Sequence, residues 1–203
     1  MITVIGLTGP SGAGKTTLCH IADSFGIKSV DTDAVYHSLL VPPSPCLDDL
    51  VAEFGCEILL PDGTLSRPAL SAIVFDATDI EKKKLARLGE ITHKYVLEKS
   101  RKIIKAADSR GERAIIIDAP ALYESGFDKE CDFVICLLAD TSLRRHRIIG
   151  RDRISEERAD ARINGQKDNS FYSSRADYTL VNDSSADSLR LGLEKILTDR
   201  GLI

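Results

Sequence analysis

Two kinds of apolar pattern alternate along the chain, and their order predicts its architecture. Met1 to Leu7 is a short, mostly apolar run rich in β-branched residues and closed by Gly9 and Pro10, which reads as a buried strand. From Lys15 to Phe25, apolar Leu18, Ile21, Ala22 and Phe25 recur at helical spacing, and Gly26 stops the helix. Lys28 to Val30 predicts a second strand ending at Asp31, followed by a helix over Thr32 to Leu40. Pro42, Pro43 and Pro45 place a loop over Val41 to Pro45. Helices are expected over Leu47 to Phe54, Ser66 to Phe75 and Asp79 to Asp108, with a turn at Asp62-Gly63. Pro68 falls early in the second of these, where its missing N–H does no harm.

Arg113 to Ile117, ending at Asp118, predicts a third strand, Phe133 to Leu138 a fourth and Tyr178 to Val181 a fifth. Ser142 to Gly150, Ser155 to Asn164 and Ser185 to Arg200 read as helices, the last with Leu189, Leu193, Ile196 and Leu197 on one face. Strands that alternate with helices argue an α/β fold: a parallel sheet covered on both faces. The mostly helical stretch of residues 42–108 is too long for a simple crossover and reads as an insertion. A chain of 203 residues suits a single domain of this kind.

Composition narrows the classes. With 43% hydrophobic and 29% charged residues, the chain is too apolar for disorder. Its net charge of -4 does not provide the basic surface that nucleic acid requires, so no such partner is expected. Five cysteines, an odd number with no Cys-x-x-Cys pair, favour neither a disulfide framework nor a zinc site, and reduced thiols are expected. The first apolar run passes straight into a glycine-rich loop, without a basic start or a cleavage site, and no run approaches the roughly 18 apolar residues of a membrane span. The expectation is a cytoplasmic protein with no membrane partner, a monomer or small homo-oligomer.

Gly9-Pro10-Ser11-Gly12-Ala13-Gly14-Lys15-Thr16 fits Gly-x-x-x-x-Gly-Lys-Thr and lies between a strand and a helix, the setting a phosphate-binding P-loop needs. Backbone N–H groups of Gly12, Ala13, Gly14, Lys15, Thr16 and Thr17 form an anion cradle there, helped by the helix N-terminus. Lys15 adds a full positive charge, and the Thr16 hydroxyl suits Mg²⁺. Of the classes that share this loop, a switch GTPase carries Asn-Lys-x-Asp; Gln166-Lys167-Asp168-Asn169 is not that motif. A large ATPase needs more chain, so a small-molecule kinase fits best.

Such a kinase needs a carboxylate beside the acceptor hydroxyl. Asp31 and Asp33 follow the second strand, where strand ends face the ligand crevice; capping of the next helix is the structural alternative for either. Asp118, at the end of the third strand, suits Mg²⁺ directly or through water. In the arginine-dense helix, Arg147 and Arg151 share a face and suit phosphate oxygens, whereas Arg144 and Arg145 read as a solvated, salt-bridged face. A segment of this kind between strands is a natural lid.

Several segments in order resemble dephospho-CoA kinase, the last enzyme of coenzyme A synthesis. The resemblance covers nearly the whole chain: the P-loop; Asp31-Thr32-Asp33; Asp62-Gly63-Thr64-Leu65-Ser66-Arg67-Pro68-Ala69-Leu70; Asp118-Ala119-Pro120-Ala121-Leu122-Tyr123-Glu124; Arg147 to Asp152; Arg162 to Gln166; and Asn182-Asp183-Ser184. It implies a P-loop NTPase three-layer sandwich of about five parallel strands, with a helical acceptor-binding region over residues 42–108 and a lid over 141–175. It implies transfer of the ATP γ-phosphate to dephospho-CoA with Mg²⁺. Asp33 would be the base, Lys15 and Arg147 the charges on the moving phosphoryl group, and Arg151 a further ATP contact. Asp33, Arg67, His93 and Asp118 would bind the acceptor; a packed helix histidine is the structural alternative for His93, and a plain strand-end turn that for Asp118. The chain departs from the family where His93 is followed by Lys94 instead of proline, at Ala121-Leu122 in place of Leu-Leu, and at Pro10-Ser11, where Gly-Ile is frequent. Another small-molecule P-loop kinase and a non-catalytic nucleotide-binding protein are the alternatives; intact Lys15, Thr16 and Asp33 speak against the second.

Overall fold

The computed structural model describes residues 1–74 and 79–203; Phe75, the expected end of one helix, lies outside them. Strands β1 (Thr3–Thr8), β2 (Lys28–Asp31), β3 (Ala114–Asp118), β4 (Phe133–Leu138) and β5 (Tyr178–Val181) form one sheet in the order β2-β3-β1-β4-β5. The helices among the described residues are α1 (Lys15–Ser24), α2 (Thr32–Ser38), α3 (Pro45–Phe54), α4 (Arg67–Val74), α5 (Asp79–Ser109), α6 (Thr141–Asp152), α7 (Glu156–Asn164), α8 (Asn169–Ser173) and α9 (Ala186–Asp199). The chain separates into two compact units, one of Met1–Val30 with Ile104–Ile203 and one of Asp31–Ile103.

In the first unit, β1 pairs in parallel with β3 on one side and β4 on the other, and β4 pairs in parallel with β5. Leu7 is level with Asp118 and with Ile135, and Leu138 with Val181. Parallel pairing therefore gathers the C-terminal ends of these strands at one edge. On one face of the sheet, Ile5, Leu7, Ile116, Ile135 and Leu137 pack against Leu18 and Ala22 of α1 and Leu189, Leu193 and Leu197 of α9. The other face is approached so closely that β1 needs a residue without a side chain. A Cβ on Gly6 would lie 2.9 Å from Leu122, 3.1 Å from the Cys131 sulfur and 3.2 Å from Val134. Burial on both faces explains the near-continuous apolar strands, and the parallel α/β sheet expected from them is the fold observed.

The second unit has its own core, built from Leu40, Cys46, Leu50, Phe54, Ile58, Leu70, Val74 and Ile91. Helix α3 begins at Pro45, two residues before the expected start. The Ser44 hydroxyl caps it by accepting from the Leu47 N–H, and Pro45 takes the first position, where no N–H is missed. The loop after Val41 is correspondingly shorter than the prolines suggest. The Asp62-Gly63 turn forms as expected: Asp62 accepts from the Thr64 N–H at 2.9 Å and its hydroxyl at 2.6 Å, and Leu59 and Leu65 bridge across it. Tyr95 of α5 donates its hydroxyl to Asp49 of α3 at 2.6 Å, and Arg87 pairs with Glu53 at 2.9 Å.

Candidate active site

The glycine-rich loop leaves β1 and enters α1 at the gathered strand ends. Gly12 and Gly14 take φ values of +79° and +101°, which L side chains rarely adopt. They also have no room for one: a Cβ on Gly12 would lie 2.8 Å from the Arg144 carbonyl oxygen, and a Cβ on Gly14 would lie 2.2 Å from Asn182 Nδ2. Gly14 is the residue before α1, so no side chain caps the helix, and no acid stands in its first turn. The other long helices of this unit differ: α6, α7 and α9 carry caps from Asp140, Ser155 and Ser185. No side-chain cap therefore meets the start of α1, and Lys15 stands where an acid would usually be favoured. That combination suits an anion. Lys15 Nζ donates to the Gly9 carbonyl at 3.0 Å, and Thr16 and Thr17 are exposed.

Helix α6 lies against the same loop. Arg147 donates through Nη1 to the carbonyls of Gly12 at 3.2 Å and Ala13 at 3.4 Å, and through Nη2 to the Asn182 carbonyl at 2.9 Å. Asn182, just beyond β5 and buried, donates its side-chain amide to the Ala13 carbonyl at 2.8 Å. Arg151 reaches the Ser11 hydroxyl at 3.3 Å and pairs with Asp152 at 2.8 Å, which also takes Arg162. The Arg151 bond, then burial's smaller opposing effect, sets the balance that holds the Asp152 carboxyl below its ordinary range. Arg145 behaves as the sequence suggests, paired with Asp160 at 2.5 Å on the outer side.

Arg144 does not. It is only 4% exposed, and it donates to the Ser11 carbonyl and to Gln166, each at 2.9 Å. Burial pushes its guanidinium below the ordinary arginine value. A signal for it was present: Arg144, Arg147 and Arg151 stand at i, i+3 and i+7, one stripe of a helix, and all three reach residues 11–13. Gln166 and Asn182 are the other loop partners that stand in the sequence only as parts of longer motifs.

Asp118, level with Leu7 at the end of β3, faces α1, where the Cys19 thiol lies 3.9 Å from its Oδ2. The hydroxyl of Thr16 and the carboxylate of Asp118 are hard oxygen donors of the kind Mg²⁺ prefers. Among the described residues, no group of three or more His, Cys, Asp or Glu side chains is placed to hold a metal ion. No described helix is long and apolar enough to cross a membrane.

The remaining candidates lie in the second unit. Asp31 is the cap of α2, its Oδ1 accepting from the N–H groups of Asp33 at 2.9 Å and Ala34 at 3.1 Å. Capping therefore occupies Asp31 and leaves Asp33, exposed in the first turn of α2, as the carboxylate presented to solvent. Arg67 opens α4 and contacts His37 Nδ1 at 2.9 Å. His93 sits half-buried in α5, one turn after Gly89.

Comparison with known proteins converges on one family. The dephospho-CoA kinase family model matches residues 3–188. A dephospho-CoA kinase of Corynebacterium efficiens is 30% identical over 195 residues, 96% of each chain. One of Symbiobacterium thermophilum is 34% identical over 191 residues, 94% of this chain and 78% of its own. The solved dephospho-CoA kinase from Campylobacter jejuni superposes with a TM-score of 0.69 at 25% identity, covering 100% of both chains. With the match spanning the phosphate loop, both units and the arginine helix, the chain belongs to the dephospho-CoA kinase family.

Proposed function

We propose that the chain transfers the γ-phosphate of ATP to the ribose 3′-hydroxyl of 3′-dephospho-CoA, releasing ADP and CoA in the cytoplasm. The observation that carries this reading is the uncapped start of α1 behind a glycine loop, with Lys15 in its first turn, in a chain of this family. The N–H groups of Gly12 to Thr17 hold the donor phosphates, and Lys15 turns from the Gly9 carbonyl to neutralise them. Arg147, already at the loop, shifts its planar fork from backbone carbonyls to the transferring phosphoryl oxygens, a geometry lysine lacks. Arg151 supports the same charge.

Asp33 accepts the proton of the 3′-hydroxyl as the new P–O bond forms and the bond to the ADP oxygen breaks. Arg67, His93 and Asp118 orient the acceptor, with residues 42–108 as its binding region and residues 141–175 as the lid. When bound, Mg²⁺ draws charge from the phosphate oxygens; Thr16 would hold it, with Asp118 through water.

ADP release measured with ATP and Mg²⁺, with and without dephospho-CoA, beside a panel of nucleosides and nucleotides, tests the reading. Stimulation by dephospho-CoA with CoA as product is expected. Stimulation by a nucleoside alone would assign a different acceptor, and no acceptor-dependent release would leave a nucleotide-binding protein.

A further inference from the structure

Arg144 is an expensive residue to bury. Taking a guanidinium out of water costs several kcal/mol unless its donors are met, and among the described residues no carboxylate lies within salt-bridge distance of it. What it meets is the phosphate loop. Its Nε donates to the Ser11 carbonyl at 2.9 Å, and its Nη2 donates to Gln166 Oε1 at 2.9 Å. The same Gln166 oxygen accepts the Ser11 N–H at 3.1 Å. Both backbone polar groups of Ser11 are therefore held, one by Arg144 and one by Gln166, and the two holders are bonded to each other. Two donors on Oε1 also settle the orientation of the Gln166 amide. The backbone contributes as well, because the Arg144 main chain closes the space beside Gly12. The ring fixes the loop at Ser11, just before the cradle residues.

We infer that Arg144 and Gln166 are positioning residues that lock Ser11 and thereby hold the anion cradle of residues 12–17 open for the ATP phosphates. The inference rests on the kinase reading above for the identity of the anion. A cradle ordered before binding avoids the entropy of ordering it at binding, so the clamp acts on ATP and not on the acceptor.

Two variants test this. Arg144→Met keeps an unbranched apolar stem and removes the guanidinium; Gln166→Leu removes the bridging oxygen. ATP affinity is measured by calorimetry, and KM is measured separately for ATP and for dephospho-CoA. Each variant is expected to weaken ATP binding about 10-fold, the scale of one lost charge-assisted hydrogen bond, while the acceptor KM stays within about twofold. Because the two act as one clamp, the double variant is expected to be no weaker than about threefold below the worse single one. A folded Arg144→Met protein that binds ATP as the wild type does, or one whose acceptor KM rises as much as its ATP KM, overturns the inference. Should Arg144→Met not fold, Gln166→Leu decides alone on the same criteria. Wild-type protein that binds no ATP would instead defeat the kinase reading and this inference with it.

Discussion

At the scale of residues, charge placement separates groups that hold the fold from those offered to chemistry. Asp31 and Asp33 are two positions apart, yet the Asp31 carboxylate is engaged by the N–H groups it caps while Asp33 stands exposed in the first turn of α2. Asp33→Asn preserves size and leaves the cap of α2 intact. If Asp33 is the proton acceptor, this change lowers kcat by about 10²- to 10⁴-fold, the usual worth of a positioned base, with the melting temperature within a few degrees of wild type. An Asp33→Asn enzyme with near-normal kcat would remove the role. Lys15 lies in the phosphate loop with its Nζ donating to the Gly9 carbonyl at 3.0 Å, and Lys15→Ala is expected to spare the fold. On the proposed mechanism it deletes the charge that neutralises the ATP phosphates, and turnover is expected to fall on the order of 10³-fold or more. Circular dichroism beside the activity assay separates that loss from unfolding.

At the scale of elements, local signals in the sequence did most of the work. The central strands β1, β3 and β4 are legible nearly to the residue because burial on both faces leaves continuous apolar runs, and Asp118 is legible as a strand end. Helix starts were legible where a cap is spelled out. Ser185 accepts from the Ser188 N–H at 3.3 Å and opens α9, whose Leu189, Leu193 and Leu197 complete one core face. Ser185→Ala is expected to cost about 1 kcal/mol, read as a lower urea midpoint with an unchanged slope; no shift would mean the cap contributes nothing to α9.

The misses have physical causes. A cluster of prolines reads as a loop until one of them is seen to sit at a helix start, as Pro45 does. Helix α8, five residues between Asp168 and Ser174, is too short to show a period. The i, i+3, i+7 stripe places Arg144 on one face with Arg147 and Arg151, but its burial also depends on Gly12, distant in sequence, whose missing side chain lets α6 approach the loop.

For the molecule as a whole, the cysteines report how tightly the interior is closed. Cys46 and Cys136 are buried and Cys131 is half-buried against the Phe127 carbonyl at 3.4 Å; Cys56 is exposed. Burial is the leading cause that pushes the thiols of Cys46 and Cys136 up to about 11 and that of Cys131 up to about 12; for Cys136 the charge of Lys15 works in the opposite direction. The sign of the effect on stability follows from proton binding. Below the ordinary thiol value of about 8.5, folded and unfolded chains are both protonated and the contribution is fully present. Above it, the unfolded chain releases protons that the folded chain keeps, so stability falls with rising pH until the folded values are reached. Urea midpoints measured with reductant at pH 7.5 and 9.5 bracket that onset while staying below the ordinary tyrosine range. The midpoint is expected to drop at pH 9.5, and Cys136→Ala, although less stable at both values, is expected to show a smaller drop between them. A midpoint that does not move would mean that water reaches these thiols in the folded protein. A colorimetric thiol reagent gives the independent check, since a closed interior lets Cys56 react at once and holds back Cys46 and Cys136 until the chain unfolds.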